Sequence, residues 1–218
     1  LVGSEMCIRD RFTTSQLTIL GLMAGILFLM AYTPLGYLNI GPLAVTFNVI
    51  PVAVCAIVLG PTGGAIAGAV FGLTSFMQAI GIGGVSALGS ALFQINPFMT
   101  AVQCFGPRIL DGICIGFIYR AVHKKANTYV SCAVTGFFSA FLNTLFFMTA
   151  LIVMFGNTEL IRNLMGGHNI IVGCCLMVGV NAISEMVSST IITAAVGTAL
   201  SKAHLIPAVQ IVKTDTAA

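Results

Sequence analysis

Polar side chains that recur at helical spacing inside apolar runs are the residues here whose chemistry needs a reason. Asn181, Ser184, Glu185 and Ser188 fall at i, i+3, i+4 and i+7 within the run 170–200, on a single helix face. Thr135, Ser139 and Asn143 fall at i, i+4 and i+8 within 129–155. Arg108 and Asp111 stand one turn apart in the run 100–122, just inside its outer end, with Gln103 earlier in the same run and Gln94 and Asn96 just ahead of it. Arginine's planar fork binds a carboxylate bidentately. The amides of Gln94, Asn96, Gln103, Asn143 and Asn181, with the carboxyl of Glu185, would place amide and hydroxyl groups of a solute. Plainer readings stand beside these. Arg108 and Asp111 could pair with each other, Thr135, Ser139 and Asn143 could bridge helices, and Glu185 could hydrogen-bond a neighbouring helix.

Other chemistry is not represented. There is no GxSxG, no HExxH and no glycine-lysine phosphate loop, and Gly63-Gly64 and 81–84 lack the surroundings of a nucleotide site. Of the 7 cysteines, Cys55, Cys114, Cys132, Cys174 and Cys175 lie in apolar runs without metal spacing, as small buried hydrophobes do. His123 adjoins lysines, and His168 has no neighbouring ligand. No metal, no cofactor and no enzymatic activity is expected. A membrane-embedded acid–base enzyme built on Glu185 or Asp111 would lack a nucleophile or metal.

The elements that must position these residues are membrane spans. The chain is 58% hydrophobic and 7% charged, against about 25% charged for a soluble domain, and its mean hydropathy is +1.05. A bilayer core of about 30 Å takes ~20 apolar residues per helix. Apolar runs at 16–33, 42–59, 61–80, 100–122, 129–155 and 170–200 predict an all-α integral membrane protein of six transmembrane helices, with the second and third separated only by Gly60-Pro61. Residues 32–41 and the glycine-rich 81–97 are expected as loops, the latter a connector or a lid over a site. Arg120, Lys124, Lys125, Lys202 and Lys213 put one side of the bundle inside, so both termini are expected in the cytoplasm and the loops near Leu35, Gln94 and Glu159 outside. Met6-Cys7-Ile8-Arg9-Asp10 looks like a translated sequencing-adapter end. Residues 1–11 are therefore expected to be an adapter scar, 12–203 the six-helix domain and 204–218 a cytoplasmic tail. Glycines repeat every fourth residue at 60, 64, 68 and 72, and pair at 21 and 25 and at 112 and 116. Such smooth stripes serve packing within the chain or docking of another membrane subunit, and the first span is the better docking candidate.

The stretch 51–78 (PVAVCAIVLGPTGGAIAGAVFGLTSFMQ) resembles the second and third helices of the substrate-binding S components of energy-coupling factor (ECF) vitamin transporters. Asn96-Pro97, Pro107-Arg108-Ile109-Leu110 and residues 116–120 resemble the fourth helix, Asn143-Thr144 the fifth, and Asn181 with Glu185 the sixth. The likeness runs from about Phe12 to Leu200 and is strongest to the pantothenate-type branch, with the riboflavin branch a near relative. It implies an S-component-like bundle with a pocket in the outer half, closed by the first and third outer loops. It also implies a transmembrane coupling subunit and two cytoplasmic ATPases as partners, and toppling in the membrane to release the solute. Gly21, Ala24 and Gly25 match the small residues that meet the coupling subunit.

The sequence thus predicts a substrate-capture subunit of the bacterial plasma membrane that binds a small water-soluble vitamin, pantothenate first and riboflavin next. The alternative is a stand-alone facilitator or proton-coupled carrier with Glu185 as its relay, against which the lack of an evident inverted repeat counts.

Overall fold

The computed structural model describes residues 14–33, 37–39, 44–83, 86–164, 170–203 and 205. The expected scar, all of the expected tail except residue 205, and His168 lie outside them, as do the side chains of Cys174 and Cys175. The chain runs α1 (Thr14–Tyr32), β1 (Tyr37–Asn39), β2 (Ala44–Thr46), α2 (Val49–Ile80), α3 (Ala87–Ile95), α4 (Pro97–His123), α5 (Thr128–Phe155), α6 (Glu159–Leu164) and α7 (Ile170–Lys202). It is an all-α membrane bundle carrying one small antiparallel hairpin, β1–β2, with Leu38 opposite Val45. Among the described residues, five helices are long and apolar enough to cross a membrane.

The runs expected as the second and third spans share the element α2, which is broken at Gly60 (φ 75°, ψ −164°). This left-handed φ is open to glycine at little cost, and the proline that follows cannot continue the preceding helix's hydrogen bonds. The chain folds back there. A β-carbon built on Gly64 would come 3.0 Å from that of Ala56, eight residues earlier, a distance no straight helix allows. The first arm, 49–59, is buried at every residue, and Val49, Val52, Ala53, Cys55 and Ala56 form the centre of the core with Leu27, Phe71, Ile115 and Ala140.

The expected glycine stripes meet each other. A β-carbon on Gly64, Gly68 or Gly72 would run into the backbone of α4 at Gly112, Arg108 or Cys104, and one on Gly112 or Gly116 would run into Gly64 or Pro61. The stripes on α2 and α4 are one intramolecular seam. Those on α1 are different: a β-carbon on Gly21 or Gly25 meets nothing within 4 Å. The helix α1 packs chiefly on α2, buries only Leu27 and Ala31, and is tied at its end by Gln78 Nε2 donating to the Ala31 carbonyl (2.6 Å) and Tyr32 donating to Met77 Sδ (3.3 Å).

Three local expectations are corrected. The second run begins as helix at Val49, not at residue 42, because Ala44–Thr46 pairs as a strand. The segment 81–97 is not all loop. Ser86 caps α3 by accepting from the Gly89 N–H (3.2 Å), and Leu88 and Leu92 pack on Met148, Leu151, Phe155 and Ile161. The region of Glu159 is likewise helical, as α6.

Candidate functional site

Glu185 stands near the middle of the 33-residue α7 and is 6% exposed. Its Oε1 accepts a hydrogen bond from the Thr46 backbone N–H (2.7 Å). An extended strand therefore reaches the middle of a membrane helix. At membrane depth non-helical backbone is tolerated only where protein buries it or where it lines a hydrated cavity. The hairpin marks that place, and the polar faces of α4, α5 and α7 converge on it.

Arg108 lies near the middle of the 27-residue α4, deeper than the outer-end position expected from sequence. Its guanidinium lies over two rings, 5.3 Å from the centroid of Phe71 and 4.7 Å from that of Phe147, and its Nη1 donates to the Gln103 carbonyl (3.0 Å). Its charge reaches both Asp111, 2% exposed, and Glu185. Each ring contributes about 0.5–2 kcal/mol of cation–π attraction, more as water is excluded. The cation is thus held in place between two apolar faces.

Buried polar atoms with no hydrogen-bond partner among the described residues include Gln103 Oε1 and Asp111 Oδ1 on the same helix as Arg108, Asn143 Oδ1 of α5, both side-chain atoms of Asn48, and the hydroxyls of Ser189 and Thr193 of α7. Asn143 is 5% exposed and Gln103 1%, with Gln103 Nε2 spent on the Phe147 carbonyl (2.9 Å). A buried group without a partner costs about 1–3 kcal/mol, so several in one neighbourhood point to a ligand that completes them. Asn181, 5% exposed, lies one turn from Glu185 on the same face of α7. The arrangement offers one fixed cation and a ring of amide and carboxyl groups, which is the chemistry for binding a small anion bearing hydroxyl or amide groups. Among the described residues no cluster of His, Cys, Asp or Glu could hold a metal ion.

The family model for the substrate-specific component of ECF transporters matches residues 15–197. The chain belongs to this family. Two relatives of this S component are a pantothenate transporter PanT of Leuconostoc mesenteroides, 33% identical over 178 residues (78% of this chain, 81% of that one), and a pantothenic acid transporter PanT of Lactococcus lactis subsp. cremoris, 28% identical over 203 residues (87% and 95%). An ECF S component is a multi-pass membrane protein that works with an energy-coupling module as a subunit of a transporter.

Not every residue expected in the site of this S component is brought to it. Gln94 is exposed on α3. Asn96 caps α4, its Oδ1 accepting from the N–H groups of Phe98 and Met99 (both 3.1 Å). Ser184 is exposed and Ser188 bonds back to the Ser184 carbonyl (2.7 Å), so the buried stripe of α7 is Asn181, Glu185, Ser189 and Thr193. Thr135 bonds to the Ser131 carbonyl (2.7 Å) and Ser139 to that of Val49 (3.3 Å), which makes them helix-bridging and backbone-satisfying groups. Sequence reasoning missed Phe71 and Phe147, the Thr46 N–H, and Asn48. The last had a signal: an asparagine directly ahead of the apolar stretch that begins at Val49.

Proposed function

We propose that this S component captures pantothenate from outside the cell and delivers it inside as part of an ECF importer. The observation that carries the reading is the half-buried Arg108 amid buried, incompletely bonded polar groups, at the depth where the hairpin enters the bundle. Pantothenate has one carboxylate, one amide and two hydroxyls. Arg108 takes the carboxylate, and Gln103, Asn143, Asn181 and Glu185 take the amide and hydroxyls. The two relatives named for pantothenate support the choice of solute over riboflavin.

The partners are a transmembrane coupling subunit and two cytoplasmic ATPases. Gly21, Ala24 and Gly25 form the docking strip, which is supported by the open space above both glycines and by the exposed Leu22 (59%) and Leu29 (55%) beside them. Lys124 and Lys125 between α4 and α5, and Lys202 at the end of α7, support a cytoplasmic location for that end of the bundle and for both termini. The subunit itself performs no catalysis; toppling driven by the ATPases exposes the site inward.

The test is calorimetry or thermal-shift binding on the purified chain alone, with pantothenate, riboflavin and other B vitamins. Tight binding of pantothenate without nucleotide or partner is the expected result. Uptake by the chain alone that collapses with a proton uncoupler, and needs no ATP, would overturn the reading in favour of a carrier.

A further inference from the structure

Asn48 is fully buried (0% exposed), and neither its Nδ2 nor its Oδ1 has a hydrogen-bond partner among the described residues. It occupies the N-cap of α2, where an asparagine ordinarily spends its oxygen on the N–H of the second or third helical residue. Here it makes no such bond. The sequence explains why. The third helical residue is Pro51, which has no N–H, and the N–H of the second, Ile50, is already given to the Phe47 carbonyl (3.0 Å). The amide is therefore released from the structural task its position would normally impose.

Its surroundings place it in the site. Its own N–H donates to Thr46 Oγ1 (3.3 Å), two residues from the N–H that binds Glu185 of α7. The carbonyl of the next residue, Val49, accepts from Ser139 of α5, one turn from Asn143. The backbone on either side of Asn48 is thus tied to α7 at Glu185 and to α5 at Ser139, one turn from Asn143.

We propose that Asn48 is a specificity-determining residue that reads the hydroxyacyl end of the solute. A primary amide presents a donor and an acceptor side by side in one plane. Its complement is a group presenting an acceptor and a donor side by side, which an α-hydroxyamide does: the carbonyl accepts from Nδ2 and the hydroxyl on the adjacent carbon donates to Oδ1. An isolated hydroxyl or carbonyl would satisfy only half of the pair. Arg108 then holds the carboxylate end and Asn48 the opposite end of the molecule. This inference rests on the reading of the pocket as a pantothenate site.

The test compares wild type, Asn48→Leu and Asn48→Ala for binding of pantothenate and of its analogue lacking the hydroxyl next to the amide carbonyl, with thermal stability measured in the absence of solute. Wild type should prefer pantothenate by about 5- to 150-fold, the range for leaving a buried hydrogen-bonding group unpaired. Both variants should lose that preference and bind the two compounds alike. Because Asn48→Leu removes an amide that has no partner among the described residues and keeps a similar volume, it should be no less stable than wild type, whereas Asn48→Ala also leaves a cavity. Variants that keep the wild-type preference, or that both fail to fold, would overturn the inference while leaving the proposed function standing. Wild type that binds no pantothenate would overturn the proposed function itself, and this assignment with it.

Discussion

Replacing Arg108 by lysine separates the shape of the cation from its charge. The guanidinium is held between Phe71 and Phe147, with Nη1 spent on the Gln103 carbonyl. It therefore meets a solute as an oriented fork. Lysine keeps the charge but gathers its donors around one nitrogen. The stacking loss of about 0.5–2 kcal/mol per ring falls on the free and bound states alike and largely cancels in the affinity. What does not cancel is one of the two charge-assisted hydrogen bonds to a carboxylate, worth about 1.5–3 kcal/mol. At about 1.4 kcal/mol per tenfold, Arg108→Lys should weaken pantothenate binding ~10- to 150-fold. Calorimetry on the detergent-purified protein, run with pantothenate and with its alcohol analogue, reads this directly. The variant should lose affinity for the acid and keep it for the alcohol. Equal losses for both would mean general damage to the pocket, and unchanged affinity for the acid would mean that Arg108 does not hold the carboxylate; either result refutes the reasoning.

Glu185→Leu should free the hairpin, raising hydrogen exchange at the Thr46 amide, whereas Glu185→Gln keeps an acceptor for that N–H and should leave exchange near wild type. Gly64→Ala forces a methyl into the Gly112 carbonyl; overpacking of about 1–3 kcal/mol, at ~2–4 °C per kcal/mol for a chain of this size, predicts a clear fall in the melting temperature, while Gly21→Ala, which meets nothing, should melt with wild type. Gly25→Leu should bind pantothenate normally yet fail to co-purify with the coupling module in a pull-down; retained assembly would remove α1 as the docking strip. Loss of solute discrimination in Asn48→Leu, described above, completes the set.

The membrane class was legible in the sequence, and the central residues of the candidate site stood out in it, because a charge or amide is costly in lipid. Arg108, Asn143, Asn181 and Glu185 stood out for that reason, and the structure buries or half-buries each of them. The face of α7 was harder. From Asn181 and Glu185 the helical step leads equally well to Ser188 or Ser189, and only packing against α5, where Gly136 lies on the Ser189 backbone, selects the second. Asn96 looked like a ligand because capping and binding use the same oxygen. The Thr46 donor belongs to the backbone and leaves no mark in a sequence. Asn48 was hidden by counting hydropathy from residue 42, which buried it inside an apolar run. The glycines of 81–97 likewise masked the Ser86 cap and the Leu88–Leu92 spacing that make α3 a helix.

The buried arm 49–59 has a consequence for biosynthesis. At 1.5 Å per residue it covers about 16 Å, half of a bilayer core of ~30 Å. The 19-residue α1 can leave the translocon into lipid by itself, since its backbone is satisfied internally and its side chains from Ile19 to Ala31 are apolar. The short arm cannot: it spans too little, and the Thr46 N–H ahead of it finds its acceptor on Glu185 only 139 positions later. The ribosome must finish most of the chain before the innermost piece can be seated. Assembly in the membrane therefore runs from the periphery inward, and a nascent chain stalled before α7 should present the segment 44–59 to quality-control proteases as an unseated one.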